Sequence, residues 1–414
     1  MRPGWFGRFA FIWIGQKLSL VGSKAGGFAL VWWLTQETGS AQVLATASMA
    51  LILPTVLLGP IAGAYVDRWN RRRTILLSDT FIAMASLLLA YLFWSGQMQI
   101  WHVYLVILLR SVGNALHEPA LGASVSMLVP KEHLARVAGA GQATKGVMSV
   151  TGPVLGALLI SILPVHGVML IDVGTAAFAV LPLLFLAIPQ PAGTPARRAK
   201  LRTTVAEGLR FVWSRKGFVY LLAIAALGNF LLNPVFVLLP LFVTEQLGGE
   251  ALHLGWLQSM WGIGLAAGGV ALAAWGGFRK RVVTLYISGA LQAAALVLLG
   301  LVPGRLFFVA AAAVTAHGFF NAFHNGSLTS LIQAAVPKHM QGRVFTLMES
   351  LLQSIYPISL AAVGPVVAVI GIRAWYVGGS LIMVFAQAGA LLLPAIRHLE
   401  AQAAMRLSQE ESPA

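Results

Sequence analysis

Cysteine is absent from the 414 residues, which excludes disulfides and thiolate metal sites. Charge is scarce as well: Asp, Glu, Lys and Arg make up 10% of the chain, against roughly 25% in a soluble domain. Acids are the rarer sign, 13 against 28 Lys and Arg. No glycine-rich phosphate loop closing on Lys-Ser or Lys-Thr is present, which removes ATP as a source of work. No His-Glu-x-x-His occurs either, and His117-Glu118-Pro119 lacks a second histidine one turn on, so zinc hydrolysis within a membrane has no ligand set. Nothing calls for a cofactor, a metal or an enzymatic role. What is abundant is apolar: 58% of residues are hydrophobic and the mean hydropathy is +0.81, a composition that belongs in a bilayer.

Apolar runs of about 20 residues recur twelve times, the first near 9–33 and the last near 374–396. The expected fold is an all-α membrane protein of twelve spans. The first run is too long for a cleavable leader and is expected to stay as a span. The net charge of +15 reflects topology rather than nucleic-acid binding. Arg68, Arg71, Arg72 and Arg73, the basic stretch from Arg197 to Lys216, and Arg279, Lys280 and Arg281 fall on one side, and only Arg305 and Arg373 fall in loops on the other. That asymmetry sets both termini in the cytoplasm.

The chain pivots on Gly63-Ala-Tyr-Val-Asp67-Arg68-Trp-Asn70-Arg71-Arg72-Arg73, between the second and third runs. An acid beside arginines at a helix end can make a charge-assisted pair that forms in one conformation and breaks in another. The spacing Gly-x-x-x-Asp-Arg-x-x-Arg-Arg resembles the loop between spans two and three of the major facilitator superfamily, with Asn70 where that pattern often has glycine. Trp32 to Ser40 is similar to the matching segment of drug and macrolide exporters in the superfamily. Arg110 shortly before Gly113 resembles its fourth-span motif, with Val112 in place of a common glutamine. Gly152-Pro153-x-x-Gly156 is similar to the fifth-span motif of its antiporters, with Met148 and Ala157 at positions where glycine is usual. The resemblance implies two pseudo-symmetric six-helix bundles, alternating access, and proton-driven export of a small molecule, with Gly63, Asp67, Arg68, Arg71 and Arg72 as the switch.

An internal repeat supports two halves. Asn114, His117, Pro130, Arg136 and Val137 each find an identical residue 207 positions on, at Asn321, His324, Pro337, Arg343 and Val344. Residues 1–190 and 217–397 are therefore expected to form the bundles. Residues 191–216 form a cytoplasmic linker with an amphipathic helix, and 398–414 a tail. The second half has no acidic hinge: it reads Gly276-Gly277-Phe278-Arg279-Lys280-Arg281.

Polar groups within spans must face water or a partner. Gln16, Lys24, Asn114, His117, Asn229, Asn233, Asn321 and His324, with Phe236 and Phe323 for apolar contact, are the expected cavity. Proton coupling is expected from Glu118, paired with Lys145 at similar depth, with Arg110, Asp172 and Glu349 as further candidates; an Arg110–Asp172 ion pair is the plainer alternative for those two. Asp79 is expected to join the basic hinge. The partners are a bulky amphiphilic solute, protons and lipid, not nucleic acid, and the chain is expected to act as a monomer. An anionic siderophore or lipid, import of a nutrient, and sensing without transport remain as other readings. Replacing Asp67 with Asn is expected to lower turnover more than ligand affinity, and vesicle transport at an unchanged rate would remove the switch role.

Overall fold

In water-free surroundings each apolar run must satisfy its own backbone, which leaves the helix as its solution. A computed structural model describes residues 5–66, 69–186, 188 and 209–396, and contains no strand among them. The helices are α1 (Trp5–Thr38), α2 (Ala41–Val66), α3 (Arg71–Trp94), α4 (Ile100–Leu128), α5 (Leu134–Ile162), α6 (Val165–Phe185), α7 (Lys216–Val237), α8 (Leu239–Gln246), α9 (Ala251–Trp275), α10 (Arg281–Leu301), α11 (Phe307–Ala335), α12 (Lys338–Ile370) and α13 (Ile372–Ala390). Among the described residues, nine helical segments are long and apolar enough to cross a membrane. Helices α1 and α4 are as long, but interrupt their apolar residues with Gln16, Lys17, Ser23 and Lys24, and with Arg110, Asn114, His117 and Glu118. The expected linker and tail fall mostly outside the described residues, as do Asp67 and Arg68.

Local chemistry sets the ends. Asn70 caps α3: its side-chain oxygen accepts from the Arg73 amide at 3.2 Å, a bond that a glycine could not make. Gly371 divides α12 from α13 at φ +83°, a conformation open to glycine and strained for other residues. Between α7 and α8 the helix breaks at Leu238, flanked by Pro234 and Pro240, neither of which can donate a backbone hydrogen bond.

The chain forms two compact units, Met1–Pro195 with Gly249–Ser259, and Ala196–Gly248 with Met260–Ala414. In the first, α1 packs on α5 and α6, and α3 on α4 and α6. Arg71 donates from Nη1 to the Ala123 carbonyl at 2.9 Å. Arg72 donates to the Leu183 and Leu184 carbonyls at 2.6 and 2.8 Å, in the last turn of α6 where free carbonyls and the helix dipole favour a cation. Two of the hinge arginines thus tie α3 to its neighbours. In the second unit, α10 packs on α11 and α13, and α7 on α12 and α13. Its buried core includes Phe218, Tyr286, Leu331 and Val344.

Helix α1 approaches α6 so closely that a Cβ at Gly15 would overlap the Phe178 carbonyl oxygen, and one at Gly22 the Thr175 hydroxyl. Gly27 has open space beside it. Gly15→Leu is therefore expected to destabilise the protein by about 1–3 kcal/mol or to block assembly, and Gly27→Leu to be tolerated, as read by thermal denaturation in detergent.

Candidate functional site

Residues seven apart on a helix lie two turns apart on nearly the same face, about 10 Å along the axis. Three helices of the first unit use that spacing for polar groups: Gln16 and Ser23 on α1, Asp79 and Ser86 on α3, and Arg110 and His117 on α4. The result is two stacked polar layers in an apolar bundle.

One layer centres on Asp172 of α6, which is 2% exposed. Arg110 Nη1 donates to its Oδ2 at 2.7 Å and lies 2.7 Å from the Ser86 hydroxyl oxygen. Ser86 and Ser23 donate their hydroxyls to Asp172 at 2.8 and 2.9 Å. A guanidinium holds its charge at any accessible pH, and the Asp172 carboxylate paired with it is hydrogen-bonded from three other helices.

The other layer is a ring. Gln16 Nε2 donates to Asp79 Oδ2 at 2.7 Å, and His117 Nε2 lies 3.1 Å from Asp79 Oδ1 and 3.0 Å from Gln16 Oε1. Asp79 is 6% exposed and Gln16 also 6%. Here the structure corrects the sequence reading: Asp79 turns into the bundle toward Gln16 and His117 rather than joining the hinge arginines. Its seven-residue distance from Ser86, matching Gln16 to Ser23 and Arg110 to His117, was the signal available for finding it.

Lys24, Asn114, Glu118 and Lys145 are exposed on the surface of the first unit, and Lys17 is half-buried there. Charged groups at these positions on spans need water beside them. Glu118 and Lys145 form no ion pair within 4.0 Å, although both lie within electrostatic reach of Lys17. Gly152 lies against Lys24, and Gly156 faces Phe28 with room for no Cβ, so the fifth-span motif holds α5 against α1; Pro153 sits inside the helix.

The second unit repeats the spacing without the charge. At the offset of 207, Arg110 corresponds to His317 and His117 to His324, again seven apart. Each donates from Nδ1 to a backbone carbonyl of α10 at 3.0 Å, His317 to Gln292 and His324 to Leu285. Asn321 donates to Gln292 Oε1 at 3.0 Å, Asn325 to Asn321 at 2.9 Å, and Asn233 to Asn229 at 2.7 Å. Phe236 packs on His317 and Trp261, Phe323 on Phe319 and Trp275. Phe319 and Phe320 also line an open apolar concavity of about 500 Å³ with Met260 and Thr315. Glu349 of α12 is exposed.

Apolar helices in two units, the first holding its charge in stacked buried layers, define a multi-pass membrane protein. The chain belongs to the Major Facilitator Superfamily, whose family model matches residues 12–360. It is similar to macrolide efflux protein A of Streptococcus pyogenes, 30% identical over 384 residues, covering 92% of this chain and 95% of that one. It is also similar to the multidrug efflux pump Tap of Mycolicibacterium fortuitum, 26% identical with the same two coverages. A bacterial homologue of the iron transporter ferroportin in an inward-facing state shares the fold with a TM-score of 0.72 at 13% identity, over 93% of this chain and 98% of that one. It is thus a multi-pass protein of the cytoplasmic membrane in the drug-efflux branch of the superfamily.

Removing one member of a buried ion pair strands the other. Asp172→Asn is expected to lower stability by about 3–5 kcal/mol, and Arg110→Met with Asp172→Leu by less than either single change. Thermal unfolding of all three variants in detergent measures the difference.

Proposed function

We propose that the chain exports bulky amphiphilic organic compounds, macrolides among them, in exchange for protons. The likeness to macrolide and multidrug efflux proteins over 92% of the chain carries this reading. The buried acid–base layers of the first unit and the aromatic and amide groups of the second supply the chemistry it needs. In this reading α7 with α8 is one interrupted span among twelve, both termini are cytoplasmic, and the monomer works by alternating access between a bundle of residues 1–190 and one of 217–397. Residues 191–216 lie on the inner membrane surface, with 398–414 a cytoplasmic tail. Asp67, Arg68 and the hinge arginines form the switch. One proton moving down 100 mV supplies about 2.3 kcal/mol, roughly a fifty-fold gradient of a neutral solute.

A second reading concerns the charge of the cargo. Lys24 and Lys145 are exposed on α1 and α5 with Lys17 nearby, a basic surface that favours cargo with an anionic group, such as a siderophore or a lipid. The test is a host stripped of its own pumps and loaded with erythromycin, dyes or a siderophore. Expression is expected to lower accumulation of at least one, and a protonophore to restore it. Unchanged accumulation across the panel overturns export; export that persists with the protonophore overturns proton coupling.

A further inference from the structure

Among the described residues, Asp79 and Asp172 are the two buried carboxylates. They differ in what neutralises them. Asp172 has a guanidinium, whose charge is fixed; Asp79 has an imidazole and a carboxamide.

The atoms of the ring decide which of its groups exchanges a proton. Both oxygens that face His117 Nε2, Asp79 Oδ1 at 3.1 Å and Gln16 Oε1 at 3.0 Å, are acceptors while Asp79 is ionised, so Nε2 then carries a hydrogen. Gln16 can then present only its amino group to Asp79 Oδ2, as its 2.7 Å bond does. The remaining nitrogen, Nδ1 of His117, can be bare or protonated with every contact of the ring intact. The imidazole is also the more accessible partner, its side chain 13% exposed against 7% for Asp79.

We propose that Asp79 and His117, braced by Gln16, form the proton-binding site of this transporter, with the proton carried on His117 Nδ1. The proposal rests on proton-coupled export and names the group that does the coupling. The one bond made and broken is Nδ1–H, and the proton comes from water and returns to water. With it the ring is a neutral imidazolium–carboxylate pair; without it a buried carboxylate stands uncompensated. That difference favours, in the deprotonated state, whichever arrangement of α1, α3 and α4 admits water to the ring.

The surrounding charges fit this division. Helix α6 brings Asp172, which Arg110 of α4 already holds one layer away. Helix α1 brings Lys17 and Lys24, α4 Glu118, α5 Lys145, and α2 no charged residue in its described length. On α3 itself, Arg71 is bonded to a carbonyl of α4 and Arg72 to carbonyls of α6.

Two measurements on the full-length purified protein test the site. Without any cargo, histidine nitrogen NMR in nanodiscs, with the His117 signal identified by its loss in His117→Gln, is expected to show His117 switching between the form protonated at Nε2 alone and the imidazolium as pH falls. A His117 fixed in one form throughout, while a carboxylic-acid carbonyl band lost in Glu118→Gln comes and goes, overturns the proposal. In proteoliposomes with radiolabelled erythromycin, Asp79→Asn and His117→Gln are expected to lose pH-gradient-driven uptake by about tenfold or more, while exchange without a gradient stays within about twofold of wild type. Gradient-driven uptake retained in both variants overturns the site and leaves export standing. Wild-type protein that takes up no erythromycin under a gradient counts against the export reading, and the NMR result then decides the site alone. Should Asp79→Asn fail to fold, His117→Gln carries the same comparison.

Discussion

An unpaired charge inside a bilayer costs several kcal/mol, and this constraint shapes the first half of the protein. Arg110 is tolerable within α4 because Asp172, Ser86 and Ser23 reach it or its partner from three other helices. To bring four side chains to one point, α1 must lie almost in contact with α6, which is why its facing residues are Gly15 and Gly22. The same approach, two turns nearer the start of α1, sets Gln16 beside Asp79 and His117. Packing by small residues and burial of charge are thus one arrangement viewed from two sides.

The two units solve the same helical geometry with different electrostatics. In the first, positions 110 and 117 carry arginine and histidine facing carboxylates; in the second, 317 and 324 carry histidines facing backbone carbonyls. A carbonyl can accept a hydrogen bond but cannot take a charge, so the second unit keeps the layered architecture in neutral form. Its polar ladder of Asn321, Asn325 and Gln292 is likewise uncharged, with Phe236 and Phe323 among aromatic neighbours.

Much of this was legible in the chain. Apolar runs gave the helices because a bilayer leaves the backbone no other partner, and the offset of 207 exposed the repeat through residues whose neighbours matched too. Arg110 and Asp172 could be matched because a guanidinium at mid-span needs an acid and few acids exist. Asp79 was misjudged for a physical reason: it lies two turns from Arg71, and sequence distance along a helix does not say which face a side chain takes. Gln16 and His117 are good candidates for a wet cavity by polarity alone; only the partners on α3 turn them inward. Glu118 follows His117 directly, and the roughly 100° step between consecutive helical residues leaves one in the ring and the other on the surface.

The Arg110–Asp172 pair also has a temporal side. The two residues are 62 positions apart, and at about 5–20 residues per second the arginine is added to the chain roughly 3–12 seconds before its acid. For that interval the guanidinium within α4 is without the acid that it pairs with in the folded chain. The pair can close only once α6 has followed, so the order of the chain fixes which helix waits for which.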